Sequence, residues 1–276
     1  MSSVFFSTRA LPELTNVDVR AATDVQAHHL RAFLQTHREL RQFGAGRWDA
    51  PSEQQLATAT PAASVRADEM YQMPHLKALE ISIPSAVAVV LQHVAAPNLG
   101  RLLLRTETKD LAFAGDCDLA KFFQRSPLLR RVKILPFVDK EDEVDGDALA
   151  INLVVHCKQL QEVEFANICW NGKFVAQLAS TGHATLRTVD LGSGYSTLTT
   201  RQMALRIMQR CPELRSITFP PLSTPSWMDD TPLPLKKMDD EDLLSMEVTA
   251  EGIGIELKIR TLTSVGTVTV ITAKRV

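Results

Sequence analysis

An acidic stretch in the middle of the chain, 138–147, is the first candidate for metal chemistry because it carries six carboxylates. A calcium-binding EF-hand loop needs acids at its first, third and fifth positions, glycine at the sixth and glutamate at the twelfth. With Gly146 at the sixth position, acids fill the three odd positions, but Asn152 stands at the twelfth. Because the bidentate glutamate is missing, the stretch predicts a solvated loop whose last acid, Asp147, caps the following helix.

Histidine and cysteine side chains form the second candidate, a zinc site built from His156, Cys157, Cys169 and His183. Structural zinc is held by closely spaced pairs such as C-x₂₋₄-C or H-x₃₋₅-H, and these residues show neither spacing. Cys157, like Cys211, stands just before a predicted strand, where repeat folds bury a small apolar residue. The spacing favours core packing, and we predict no metal site.

Known catalytic motifs are missing from the sequence. It contains no G-x-S-x-G, no glycine-rich phosphate loop and no H-E-x-x-H. A set of Ser, His and Asp is recognised by its geometry rather than by its sequence order, so an enzyme with an unrecognised site stays an alternative. We expect no catalytic residues and no cofactor.

A short apolar pattern recurs eight times along the chain: a leucine, two residues, an apolar residue, one residue and a second apolar residue. Neighbouring copies begin 23 to 36 residues apart, which is the spacing of a repeat unit. Residues that alternate in this way predict short strands with the apolar side chains on one face. The leading leucines are Leu14, Leu40, Leu76, Leu99, Leu129, Leu160, Leu186 and Leu214.

Helical spacing fills the intervals between these strands. Val87, Val90, Leu91 and Val94, for example, occupy positions i, i+3, i+4 and i+7 of one helix face. A proline often stands shortly before the leading leucine, where it ends the preceding helix. Each unit is therefore predicted to be a strand of about five residues followed by a helix, and stacking the units buries their apolar faces together.

Two repeat edges carry a family resemblance. Residues 211–219, CPELRSITF, and residues 157–160, CKQL, resemble the leucine-rich repeats of F-box proteins and ribonuclease-inhibitor-like folds. The resemblance covers roughly residues 11–222 and implies an α/β solenoid of horseshoe shape, with a parallel sheet on the concave face and helices on the convex face. The Asn or Cys that follows the strand in regular repeats is absent here, which implies a degenerate member with irregular bends.

The F-box domain itself is not part of this resemblance. Residues 11–14, LPEL, are similar to its opening, but they already serve the first repeat. The resemblance therefore implies a protein-interaction scaffold, with substrate recognition in ubiquitin ligation as one use of it. An enzyme regulator or an inhibitor-like leucine-rich-repeat protein is the alternative.

Three segments divide the chain. Residues 1–222 are predicted to form the solenoid of about eight irregular repeats, in which residues 46–73 lengthen the second repeat as a surface loop or a short helix near 52–59. Residues 223–242 read as a mobile linker rich in prolines and acids. Residues 243–276 alternate apolar and polar side chains and predict a β-hairpin that caps the last strand edge.

The concave face offers a charged cluster as its candidate binding site. Residues that alternate with the buried ones face the concavity, and those of the fourth and fifth strands are mainly basic while those of the sixth are acidic. The predicted partner-binding residues are Arg101, Arg105, Arg131, Lys133, Glu162 and Glu164.

Two interpretations of this cluster stay open. Arg131 is level with Glu162, and Lys133 with Glu164, so cross-strand ion pairs could form without any ligand. Alternatively, a protein partner docks on the positive centre, where the charge pattern would set its orientation and association rate. Arg101 has no acid level with it on the fifth strand, and neither has Arg105, so these two are the expected partner contacts.

The composition is that of an ordinary folded chain of 276 residues, 45% hydrophobic and 22% charged, with a net charge of −2. That charge gives no long-range attraction to nucleic acid or to anionic membranes. No apolar run approaches the roughly 20 residues of a membrane helix, and the first residues lack the apolar core of a signal peptide. The four cysteines are too far apart for a disulfide framework. We expect a cytoplasmic or nuclear protein that binds another protein.

Overall fold

The chain folds as an α/β protein with mostly parallel strands. It divides into two compact units, of which unit one comprises residues 1–144 and 152–160, and unit two comprises residues 145–151 and 161–276. The computed structural model describes residues 13–19, 27–45, 70–82, 90, 92–107, 120–137, 146–166, 168, 170, 172–191, 201–218, 255–262 and 268–275.

Unit one contains a parallel sheet whose strands follow one another in the order β1-β2-β4-β6-β7. A separate pair of short parallel strands, β3 and β5, lies outside this sheet. Helix α1 covers Ala27–Thr36, and residues 120–125 are also helical. The strands are β1 (Asn16–Val19), β2 (Gln42–Ala45), β3 (Tyr71–Gln72), β4 (Ala78–Ile81), β5 (Val94–Ala95), β6 (Arg101–Glu107) and β7 (Arg131–Phe137).

Unit two repeats the alternation of strand and helix. Its strands β8, β9 and β10 are parallel and follow the chain order, and the last two strands are antiparallel to their neighbours. The first of its helices, α2, spans the division, since residues 146–151 belong to unit two and residues 152–156 to unit one. The elements are α2 (Gly146–His156), β8 (Glu162–Phe165), α3 (Lys173–Thr181), β9 (Thr188–Asp190), α4 (Arg201–Arg210), β10 (Ser216–Thr218), β11 (Ile255–Leu262) and β12 (Val268–Arg275).

The leading leucines lie in the core, as the repeat pattern predicts. Seven of the eight are buried and precede a parallel strand, while Leu14 is half-buried. Leu14 precedes β1, which has a neighbouring strand on one side only among the described strands, so one flank of this leucine is uncovered. The two following apolar positions are also buried wherever the structure describes them, which confirms the eight predicted strands.

In the seven repeats where the structure describes it, a buried residue stands just before the turn that leads to the leucine. In six repeats the N–H of the leading leucine donates to the carbonyl of this residue, at 3.0 to 3.4 Å. The side chain varies from alanine to histidine, yet all seven described members are buried. They are His37, Met73, Ala96, Ser126, Cys157, His183 and Cys211.

In six of the repeats, the residue after the leading leucine connects its repeat to the next one of the same unit. The Thr15 carbonyl accepts from the backbone N–H groups of both Arg41 and Gln42, at 2.7 and 3.1 Å. The same two-donor arrangement recurs from repeat to repeat within unit one, and in unit two the carbonyls of Gln161 and Arg187 accept in the same way. Because the pattern is identical, each strand begins level with its neighbour.

Two local expectations are wrong. Val94 was expected at the end of a helix, but it begins strand β5, where it pairs with Tyr71. Asp147 was expected to cap the helix that follows it, but it lies inside the first turn of α2. Its buried carboxylate instead accepts a hydrogen bond of 2.5 Å from the backbone N–H of Phe174, in the first turn of α3. The Asp147 carboxylate therefore binds the first turn of the neighbouring helix α3 instead of capping its own helix.

The end of the chain forms two antiparallel strands, β11 and β12. Strand β12 also pairs antiparallel with β10, so the hairpin extends the sheet of unit two past its last parallel strand. The predicted linker at 223–242, the acidic residues at 138–145 and the expected loop or helix near 52–59 lie outside the described residues.

Candidate functional site

The polar face of the unit-one sheet carries the basic part of the predicted cluster. Arg101 and Arg131 are exposed, while Arg105 and Lys133 are half-buried. Arg101 and Arg105 stand four residues apart on β6 and therefore share one face of the strand. All four cations thus belong to two adjacent strands of one sheet.

The strand register fixes which charges lie level with one another. Arg101 is opposite Arg131 on β7, and on β4 it is opposite Ala78. Arg105 is opposite Leu135. The expectation that no acid on the fifth strand is level with Arg101 or Arg105 is therefore confirmed. Two like charges directly opposite each other are unfavourable in a sheet, so this pair concentrates positive charge.

An apolar residue separates the two arginines of β6. Leu103 is 5% exposed although it occupies a position predicted to face the concavity. It is level with Glu80 on one side and with Lys133 on the other, so the aliphatic stems of two charged residues flank it. Charged residues of both signs therefore stand on either side of the buried Leu103 side chain.

The acidic part of the predicted cluster belongs to unit two. Glu162 and Glu164 occupy alternate positions of β8, and both are half-buried. Glu164 is level with Asp190 on β9. Strands β8 and β9 therefore carry three acids, Glu162, Glu164 and Asp190. The predicted pairing of Arg131 with Glu162, and of Lys133 with Glu164, stays a prediction.

A second row of cations stands just before the strands, outside the alternating positions on which the sequence prediction depends. In unit one, Arg41, Lys77 and Arg130 each follow a leading leucine directly, and all three are exposed. We call these residues, together with Arg101, the strand-entry row. A sequence signal existed, since five of the eight residues that follow a leading leucine are Lys or Arg.

Three of the four candidate zinc ligands, His156, Cys157 and His183, are described, while Cys169 lies outside the described residues. Cys157 is buried, and its thiol lies 3.7 Å from the Ser126 carbonyl oxygen. Burial raises the pKa of the Cys157 thiol to about 12, and burial also raises the pKa of Cys211. His156 lies beside Gln124, with 3.4 Å between the amide nitrogen and Nε2. A thiol that keeps its proton is a poor metal ligand.

Metal sites and membrane helices were sought among the described residues. Within them, no group of three or more His, Cys, Asp or Glu side chains is arranged to hold a metal ion. None of the helices in the described part of the chain is long and apolar enough to cross a membrane.

Comparison with known proteins leaves the family open. No protein-family model matches the chain, and no curated protein has significant sequence similarity to it.

Proposed function

We propose that the chain is a leucine-rich-repeat solenoid that acts, without catalysis, as a protein-interaction scaffold. In this proposal the strands line the concave side of a horseshoe and the helices lie on its convex side. Support comes from the eight parallel strands, seven of which follow a buried leading leucine, and from the buried residue that precedes the turn in each of the seven repeats where the structure describes it. Cys157 and Cys211 are buried thiols that form no disulfide, which fits the proposed cytoplasmic or nuclear location.

The observation that carries the proposal is the placement of Arg101. This arginine is exposed on β6, the fourth of the five strands of the unit-one sheet, and its level neighbours are Ala78 and a second arginine, Arg131. No carboxylate stands level with Arg101 on either neighbouring strand, so a cross-strand ion pair at that level does not account for its charge. A protein partner with acidic side chains would pair with this exposed charge and gain orientation from it.

Affinity purification of the intact chain, followed by mass spectrometry, tests the proposal. Wild type is compared with Arg101→Glu and with Arg101→Glu/Arg105→Glu, because Arg101 is exposed and its reversal leaves the core untouched. The matched control is Lys173→Glu/Arg206→Glu, which reverses two exposed charges on the helices of unit two.

We expect proteins that the wild type captures to be depleted by both Arg101 variants and retained by the control. Capture that is unchanged in Arg101→Glu/Arg105→Glu would show that the inner face is not the binding surface. Far-UV circular dichroism of each variant establishes that the folded state is present.

A further inference from the structure

The strand-entry row is a line of cations at the beginning of the unit-one strands. Arg41, Lys77 and Arg130 occupy the same position of the second, third and fifth repeats. The fourth repeat has Gly100 at this position, and Arg101 follows it directly. All four cations are exposed, so each repeat from the second to the fifth presents at least one positive charge at the same end of its strand, and the fifth repeat adds Arg131.

The backbone holds this row rigidly. The Arg41 carbonyl accepts from the N–H groups of Lys77 and Ala78 at 2.8 and 3.2 Å. The Lys77 carbonyl accepts from Gly100 and Arg101, and the Gly100 carbonyl accepts from Arg130 and the residue after it. Since neighbouring strands lie about 4.8 Å apart, the row from Arg41 to Arg130 is roughly 14 Å long.

Counter-charges are scarce along the row. Among the described residues, no carboxylate lies within ion-pair distance of Arg41, Lys77 or Arg101. The described carboxylate contact nearest in sequence lies between His75 Nε2 and Glu39, at 3.3 Å, and it includes no member of the row. Arg130 contacts the neutral amide oxygen of Gln159, at 3.4 Å. The four positive charges are therefore exposed to solvent, with one at the start of each of four successive strands of the sheet.

We propose that the strand-entry row binds an acidic segment of a polypeptide. An extended peptide rises about 3.3 Å per residue, so four or five residues match the length of the row. Alternate carboxylates would then stand about 7 Å apart, within reach of the flexible side chains of successive strands. Because the backbone of the row is already hydrogen-bonded, binding orders only side chains on this protein, in addition to the peptide itself.

A peptide fits the row better than a nucleic acid does. Proteins that bind single-stranded nucleic acid commonly use exposed aromatic side chains on which the bases stack. Neither the residues of the row nor the residues directly beside them in sequence are aromatic. The chain as a whole carries a net charge of −2, so it offers a long polyanion no long-range attraction beyond this short strip. A short acidic stretch needs no more positive charge than the strip itself supplies.

This inference goes beyond the proposed function, because it concerns the strand entrances rather than the inner face of the sheet. The two surfaces share Arg101 alone. Reversal of Arg41 and Lys77 therefore tests the row, and it leaves Arg101, Arg105 and the inner face unchanged. Loss at one surface is thus distinguishable from loss at the other.

Fluorescence anisotropy of labelled probes with the full-length chain tests the inference. The first probe is a ten-residue peptide in which aspartate alternates with serine, and the second has asparagine in place of every aspartate. A single-stranded oligonucleotide of equal charge is the third. The variant is Arg41→Glu/Lys77→Glu, and Lys173→Glu/Arg206→Glu is again the control of equal charge change at exposed positions.

We expect the acidic peptide to bind the wild type, to bind more weakly as salt is added, and to lose about tenfold or more in affinity in Arg41→Glu/Lys77→Glu. The control variant should change the affinity less than about twofold. Failure of the wild type to bind, equal losses in both variants, or tighter binding of the oligonucleotide would each overturn the inference. Thermal unfolding of both variants verifies that charge reversal leaves the fold intact.

Discussion

At the scale of single residues, two consecutive leucines of the fifth repeat differ in whether they pack in the core. Leu129 is fully buried, whereas Leu128, directly before it in the turn, is 37% exposed. We expect Leu129→Ala to lower the free energy of unfolding by about 2 to 5 kcal/mol, because it removes buried apolar surface and leaves a cavity. Leu128→Ala should change it by about 0.5 kcal/mol or less.

Urea denaturation of both variants measures this difference. Equal effects of the two substitutions would contradict the placement of the leading leucine in the core. The pair is well matched because the residue type, the repeat and the substitution are the same.

The buried thiol of Cys157 predicts a pH dependence of stability. Burial raises its pKa from 9.0 to about 12, so the native state keeps a proton that the unfolded chain releases above about pH 9. The contribution of this thiol to stability is complete below pH 9 and decreases as the pH rises from 9 towards about 12. Between pH 7.5 and 10.5 the loss is expected to reach about 2 kcal/mol.

Cys157→Ala provides the control, since Ala96 fills the corresponding position of an earlier repeat. Denaturation of both proteins at the two pH values cancels the effects of other titrating groups. The wild type should lose more stability on alkalisation than the variant does. Equal losses would show that the thiol is not buried.

At the scale of elements, the end of helix α3 depends on a glycine. It is followed by Gly182, whose φ of 67° and ψ of −177° define a backbone conformation that favours glycine. A Cβ at this position would overlap the carbonyl oxygen of Arg210. We expect Gly182→Ala to cost about 3 kcal/mol, because it combines backbone strain with a clash against rigid backbone.

Gly100 is the matched control for this prediction. A Cβ there would meet the carbonyl oxygen of Lys77 at 3.6 Å, which is ordinary van der Waals contact. Gly100→Ala should therefore stay within about 1 kcal/mol of the wild type. The melting temperatures of the two variants decide the matter, and a stable Gly182→Ala protein would refute the described end of α3.

The elements also show where reasoning from sequence succeeds and where it stops. The strands were predictable because alternation around each leading leucine is a local signal, and Val17, Leu102 and Val189 are buried as that signal requires. The hydrogen bond from Phe174 to Asp147 was not predictable, because it joins two helices that are distant in sequence. Val94 fits a helix face equally well by spacing, and only its pairing with Tyr71 makes it a strand.

The candidate site was predictable only in part, and for a related reason. Alternation identified Arg101 and Arg105 as members of the polar face, and the register bears out that no acid of β7 is level with them. The burial of Leu103 and the alignment of Arg41 with Lys77 depend on how neighbouring strands are stacked. Such properties belong to the assembled sheet rather than to any one repeat.

At the scale of the whole molecule, the proposals depend on the repeat as a unit of construction. In a protein built of repeats, each unit contacts mainly its neighbours, so stability is close to a sum of local terms. Removal of one complete unit should therefore leave the others able to stack. Removal of half a unit should not, because it leaves a strand or a helix without its partner.

Deletion of residues 100–129 tests most directly whether the chain is built of repeated units. It removes one complete unit and joins Leu99 to Arg130, which follows a leading leucine just as Gly100 does. Deletion of residues 100–114, half as long, removes β6 and leaves the rest of its unit. We expect the larger deletion to keep native-like far-UV circular dichroism and a cooperative unfolding transition, while the smaller deletion loses both. If the larger deletion unfolds as completely as the smaller one, or if the smaller one is the more stable, the chain is not built of interchangeable strand-and-helix repeats.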